Sequence, residues 1–199
     1  KGATVKAVPI LDDGSVDMVA YRDMLSERTK MVAFAHISNS IGTLTPAKEI
    51  IRMAHAAGAL TLVDGCQAAP HMKIDVQDLD ADFYAFSAHK AYGPTGVGML
   101  YGKEALLDAM PPWQGGGDMI STVTFEKTTY NDLPHKFEAG TPNIAGGIAM
   151  NEALKFINEI GHDAISAHEA DLLAYATKQL TAMNSVRIIG TTPEKGALI

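Results

Sequence analysis

Three apolar runs in this chain each end in residues that can do chemistry. Met31 to His36 is followed by Asn39, and Leu60 to Val63 by Asp64 and Gln67. The third run, Phe83 to Ser87, leads into Ala88-His89-Lys90. In an open parallel sheet, ligands bind beyond the carboxyl ends of the strands. Three successive strand ends, His36 included, would therefore deliver an amine, a carboxylate, amides, a hydroxyl and imidazoles to one edge, and nothing in core packing requires that. A lysine on a rigid element with its amine partly desolvated suits a Schiff base. An aspartate facing a pyridine nitrogen keeps it protonated, so that the ring can accept electrons. Lys90 and Asp64 fit those two roles. Ser87 and His89 fit a phosphate, and the set as a whole matches what pyridoxal phosphate needs.

The elements that must position these residues alternate between strand and helix. The runs at 31 to 36, 60 to 64 and 83 to 87 are short and almost continuously apolar, as buried parallel strands are. Between the first two, Thr45 reads as an N-cap and Pro46 as the first helical residue. Ala47, Ile50, Ile51, Ala54 and Ala57 then recur at helical spacing, and Gly58 ends the helix. A short helix separates the second and third strands. After the turn Gly93-Pro94-Thr95-Gly96, residues 97 to 101 read as another strand. Pro111 to Thr141 is a long irregular excursion, and loops of that length are usually functional or lie at interfaces. Residues 145 to 160 and 164 to 183 then read as helices, with a strand at 186 to 189. This is an α/β rhythm with a mainly parallel sheet. It divides into a large domain over 1 to 147 and a connecting helix with the start of a smaller α+β domain over 148 to 199. Both ends, Lys1 to Val8 and Gly196 to Ile199, have strand-like patterns, so the expectation is a fragment of a longer protein.

Composition narrows the function classes. The 199 residues carry 47% hydrophobic and 20% charged residues, values of a globular chain. The formal net charge of -7, with basic residues scattered, argues against a nucleic-acid surface. No apolar run is long enough to span a membrane, and no signal-peptide pattern opens the chain. The single cysteine, Cys66, allows no internal disulfide, and a reducing cytoplasm is expected. The seven histidines show no metal-ligand spacing, so no metal is expected.

The segment Ser87-Ala88-His89-Lys90-Ala91-Tyr92-Gly93-Pro94-Thr95-Gly96 resembles the lysine motif of class V aminotransferase-fold enzymes. His36-Ile37-Ser38-Asn39 and Asp64-Gly65-Cys66-Gln67-Ala68 resemble the two motifs that precede it. Residues 111 to 117 and 137 to 143 resemble segments of the SufS-type cysteine desulfurases and selenocysteine lyases in particular. The resemblance runs in register along the whole chain. It implies a fold-type I large domain in which Lys90 carries pyridoxal phosphate and shuttles the Cα proton. Asp64 would pair with the pyridine nitrogen, and Gln67 and Asn39 would hydrogen-bond the ring oxygen. Ser87 and His89 would hold the phosphate, and Thr141 would reach the cofactor phosphate of a homodimer partner.

The resemblance further implies L-cysteine or selenocysteine as substrate, a sulfur-acceptor protein, and a persulfide that feeds iron–sulfur cluster assembly. The family's phosphate-loop threonine and ring-stacking histidine would precede residue 1. Its substrate-binding arginine and sulfur-accepting cysteine would follow residue 199, which would leave the fragment inactive by itself. Cys66 stands where many relatives carry alanine, and reads as a small buried cysteine rather than the sulfur carrier. Lys136 stands where arginine is expected. His36 reads as a satisfied core histidine and His55 as structural. An aminotransferase or a kynureninase-like lyase shares the Asp64 and Lys90 core, and a non-catalytic dimerisation or cofactor-platform fragment is the alternative of a different class.

Overall fold

The computed structural model describes residues 2–199. Helix α1 (Met18–Met24) starts at Asp17, whose carboxylate accepts from the backbone N–H groups of Val19 and Ala20. Strand β1 (Met31–Ala35) pairs in parallel with β2 (Leu60–Asp64), and β2 in parallel with β3 (Phe83–Ser87). Helix α2 (Ala47–Ala56) and the one-turn α3 (Val76–Leu79) make the two crossovers. Strand β4 (Gly98–Gly102) then returns antiparallel to β3, completing a four-stranded sheet in chain order. Beyond it lie α4 (Glu104–Ala109), the hairpin β5 (Ile120–Val123) and β6 (Thr128–Tyr130), and the long helices α5 (Ile144–Ile160) and α6 (His162–Thr181).

The apolar stripe of α2 explains its docking. Ile50, Ile51 and Ala54 are all at most 3% exposed. Ile51 joins Val63, Ala81 and Tyr84 in one buried cluster, and Ile50 joins Tyr21 and Met53 in another. Fully burying one such aliphatic side chain contributes about 1.5–3 kcal/mol. The Tyr21 hydroxyl donates to the Ile50 carbonyl at 2.9 Å, fixing α1 against α2. On the far side of the chain, Ile157 of α5 and Ile165 of α6 share a buried cluster with Ala91, next to Lys90.

Several sequence expectations are corrected here. Thr45 is not a helix cap: its hydroxyl donates to the Ala35 carbonyl at 2.7 Å, and Pro46 occupies the cap position. The carbonyl at the end of β1 needs a donor, and Thr45 supplies it. Residues 186 to 189 form no strand. Val186 bonds back to Met183, and Val186 and Ile189 stay 38% and 57% exposed, with no neighbouring strand to pair with among the described residues. Residues 2–8 and 196–199 form no strand either, although Lys195 makes an isolated bridge with Thr43. Lys1 lies outside the described residues. Inside the irregular excursion, the β5–β6 hairpin and the 3-10 turn His135–Phe137 were not anticipated.

At the sheet edge where β2 and β3 begin, Asp82 is 4% exposed. It accepts from the backbone N–H and hydroxyl of Thr61, from His55 Nε2 at 2.8 Å, and from Lys103 Nζ at 2.9 Å. Lys103 also reaches Asp80, which ties the end of β4 to the start of β3. Burial pushes the Asp82 carboxyl up, but the bonds from Lys103, His55 and Thr61 outweigh it and hold it below the usual carboxylate range. A carboxylate with a depressed folded-state pKa stabilises the fold above its unfolded value and loses that contribution as pH falls through the folded value. Replacing Asp82 by Asn should therefore cost about 2–4 kcal/mol near neutrality. Urea unfolding of wild type and Asp82→Asn should show a gap that is full at pH 7 and narrows below about pH 4. A gap that does not change with pH would contradict this assignment.

Candidate active site

All three parallel strands end at the same edge, and the register sets which residues face each other there. Ala35 stands opposite Asp64, and Asp64 opposite Ala85. The backbone continues the ladder one step further: His36 N–H donates to the Asp64 carbonyl, and Gly65 N–H to the Ala85 carbonyl. Two residues beyond Ala85 comes Ser87, and a 3-10 turn over Ala88–Lys90 then carries His89 and Lys90. Strand β3 thus presents Ser87, His89 and Lys90 beside the chain end that holds Asp64.

Asp64 is exposed at this edge. One oxygen, Oδ1, accepts from the Cys66 backbone N–H at 2.9 Å and shapes the turn that follows. The other oxygen has no hydrogen bond, and no cation pairs with Asp64, among the described residues. Lys90 is half-buried, and its amine likewise has no hydrogen bond or ion pair among them. A carboxylate without a cation and an amine without an anion, on adjacent strand ends, form a donor set with capacity left for a ligand. Gln67 sits half-buried one residue past Cys66 in the turn held by Ala68 and Ala69 N–H groups on the Gly65 carbonyl. Cys66 Sγ lies 3.9 Å from Ser87 Oγ, which places the Asp64 turn and the Ser87 strand end side by side.

Two expected residues stand apart from this group. Asn39 is exposed, and the turn around it is shaped by Ser38, whose hydroxyl accepts from the N–H groups of Ser40 and Ile41. Thr141 is exposed in the loop before α5. That loop touches the lysine turn through Asn143, whose side-chain amide donates to the Gly96 carbonyl at 3.4 Å while its Oδ1 caps α5. No hydrogen bond joins Asn39 or Thr141 to Asp64, Gln67, Ser87, His89 or Lys90 among the described residues.

A tyrosine that the sequence reading missed organises the edge from beneath. Tyr84 is 4% exposed, and its hydroxyl meets His36 Nδ1 at 3.0 Å. Burial pushes the Tyr84 hydroxyl well up and the His36 imidazole down, so both are neutral at physiological pH. His36, 5% exposed, is therefore a satisfied core residue. The Tyr84 ring also occupies the space above Gly65, where any Cβ would fall on the ring. A glycine directly after a strand-end aspartate, facing an aromatic on the next strand, was the signal available in the sequence.

Cys66 has the properties of a bystander. Burial and then the Asp64 carboxylate raise its thiol pKa, and the bonds from Ser87 offset this only in part. A thiol shifted that way is a poor nucleophile near neutrality. Lys136, where arginine was expected, donates to the carbonyls of Leu107 and Asp108 at the end of α4. Gly116 lets the excursion lie against residues 139 and 140, and the Gly140 N–H bonds to the Gly117 carbonyl. Among the described residues no group of three or more His, Cys, Asp or Glu side chains could hold a metal ion, and no helix is long and apolar enough to cross a membrane.

Comparison with known proteins decides the family, because the match to the aminotransferase class-V description spans residues 1–198. The chain belongs to the class-V aminotransferase family. Members of this family depend on pyridoxal phosphate, and the Asp64 oxygen and Lys90 amine that have no partner among the described residues, with the Ser87 and His89 strand end, fit that group. The cysteine desulfurase of Synechococcus elongatus is 50% identical over 198 residues, covering 100% of this chain and 32% of that protein. The cysteine desulfurase of Dickeya dadantii is 50% identical over 199 residues, covering 100% and 48%. The crystal structure of the Escherichia coli cysteine desulfurase CsdA aligns with a TM-score of 0.85 at 40% identity, covering 88% of this chain and 44% of that one. The chain thus spans from a third to about half of the length of these class-V relatives.

Gly65→Ala should be among the most damaging single changes in this class-V domain, because the new methyl can be accommodated only by moving Tyr84 from His36. We expect a loss of about 3 kcal/mol or more in denaturant unfolding. Tyr84→Phe, which removes only the hydroxyl and leaves His36 Nδ1 buried without a partner, should cost about 1–2 kcal/mol. Equal losses for the two variants would show that the ring does not set the geometry at Gly65.

Proposed function

We propose that the complete protein carrying this chain is a pyridoxal-phosphate-dependent cysteine desulfurase of the SufS type. It would convert L-cysteine to L-alanine and pass the sulfur to a cysteine thiol as a persulfide, with selenocysteine as the chemically equivalent substrate. The observation that carries the reading is the strand-end set itself: Asp64 with an uncommitted oxygen beside Ser87, His89 and an unpaired Lys90. The identity of about 50% to proteins named cysteine desulfurase supports the choice of reaction within the family.

When bound, pyridoxal phosphate supplies an electron sink for the charge that develops at the substrate Cα. Asp64 holds the proton on the pyridine nitrogen, which keeps that sink effective. Ser87 and His89 hold the phosphate, and Gln67, with Asn39, donates to the ring oxygen. Lys90 is the attachment point and then the base that takes a proton from the substrate Cα. Its half-buried position on a 3-10 turn, backed by buried Ala88 and Ala91, suits both roles. The substrate's Cβ–S bond breaks, the sulfur leaves on an attacking thiolate as a persulfide, and Cβ takes up a proton. Cys66 is not proposed as that thiol: it sits in the tight turn after Asp64, and burial pushes its thiol pKa up. The same proposal includes a homodimer in which Thr141 serves the partner's site, a sulfur-acceptor protein, iron–sulfur cluster assembly as the destination, and a cytoplasmic location. It also keeps the domain division at residues 147 and 148.

The test is release of sulfide and alanine from L-cysteine by the complete protein in the presence of a reductant. Equal amounts of the two products are expected. Asp64→Asn should lower the rate by about 10²-fold or more, whereas Cys66→Ala should leave it within roughly two-fold. Transamination of L-cysteine to 3-mercaptopyruvate, with neither alanine nor sulfide formed, would overturn the desulfurase assignment, and loss of sulfide release in Cys66→Ala would overturn the bystander role.

A further inference from the structure

Helix α6 touches both segments that carry the proposed cofactor ligands. On one side Ile165, 8% exposed, is buried with Ala91, the residue after Lys90. On the other side three α6 residues grip the turn that follows Asp64. His162 Nε2 lies 3.3 Å from the Ala69 carbonyl, and the Ser166 hydroxyl donates to the His71 carbonyl at 2.8 Å. Glu169 Oε1 meets His71 Nδ1 at 2.7 Å. Positions 162, 166 and 169 fall on one face of a helix, so a single rigid rod delivers all three. A carboxylate can only accept, so Nδ1 of His71 carries the hydrogen. The His71 and Glu169 side chains are only 25% and 20% exposed, so water does not compete freely for the pair.

The gripped turn is short and stiff. Ala68 and Ala69 donate to the Gly65 carbonyl, and His71 and Met72 to the Ala68 carbonyl. Ala68 is fully buried, and so is the Pro70 side chain. Gln67 lies inside this turn, so a displacement of His71 is transmitted to Gln67 with little slack. The Asp64 end of the turn is fixed independently, by the β2–β3 ladder and by Tyr84 over Gly65.

We infer that Glu169 and Ser166 are positioning residues that act through His71 to place Gln67 relative to Lys90. This inference rests on the cofactor roles of Gln67 and Lys90 proposed above. Nothing in the local sequence of α6 announces it, because the residues it joins are nearly a hundred positions apart.

The experiment compares the complete protein with Glu169→Ala, Glu169→Gln and Ser166→Ala, using Glu152→Ala as a control. Glu152 makes an exposed pair with Lys155 on α5 and matches the loss of one ion pair without touching the turn. Pyridoxal phosphate affinity, the position of the visible band of the bound cofactor, and thermal unfolding are read for each. Glu169→Ala and Ser166→Ala should weaken affinity by about five-fold and move the band, consistent with about 1 kcal/mol of coupling. Glu169→Gln, whose amide oxygen can still accept from His71, should recover most of both effects. Glu152→Ala should show neither. Unchanged affinity and band in Glu169→Ala, whatever happens to its melting temperature, would overturn the inference. Should that variant fail to fold, Ser166→Ala, which loses a single hydroxyl, decides in the same way. Sulfur release by the wild type speaks separately to the proposed reaction: binding without sulfur release ends that reading and leaves this one standing.

Discussion

Everything at the candidate site depends on the parallel pairing of β2 with β3 in one register. With Asp64 opposite Ala85, a carboxylate ends one strand while the next runs on to Ser87 and the Lys90 turn. Side chains alternate between sheet faces, so a slip of one residue would send Asp64 and Ser87 to opposite sides. Tyr84 guards this register. Its ring fits only over a residue without a Cβ, and its hydroxyl meets His36 Nδ1 just past the end of β1. One aromatic side chain thereby links all three parallel strands beneath the site.

The two ends of the strands divide the work. At the end where β2 and β3 begin, Asp82, Lys103, His55 and Thr61 saturate one another, and the net attraction is spent on stability. At the opposite end Asp64 and Lys90 make no ion pair among the described residues, which leaves both with capacity for a ligand. The contrast between a closed network and an open one, within a single sheet, separates scaffold from site without appeal to any relative.

Much of this was legible in the sequence because strands of a parallel sheet are nearly continuous apolar runs and α2 carries a clear helical stripe. Strand β1, at the edge of the sheet, is nevertheless less buried than expected, with Met31 50% exposed. The runs at residues 31, 60 and 83, and the polar residues ending them, could be read directly. What failed depended on partners distant in sequence. Thr45 looked like a cap because threonine before Pro46 usually is one, but the Ala35 carbonyl competed for its hydroxyl and won. Residues 186 to 189 have strand composition yet, among the described residues, no neighbouring strand to pair with. Tyr84 was read as one more apolar residue, although its hydroxyl is the partner of buried His36 Nδ1. The grip of α6 on His71 has no local signature at all. Of the expected site residues, Asp64, Gln67, Ser87, His89 and Lys90 lie at the neighbouring ends of β2 and β3, while Asn39 and Thr141 lie on separate loops.

The most direct test of the account is to load the complete protein with pyridoxal phosphate, reduce it with borohydride, and locate the modified peptide by mass spectrometry. The account predicts a single pyridoxyl group on Lys90, lost in Lys90→Ala. Modification at another lysine, or none in a protein that folds and is exposed to the cofactor, would contradict it.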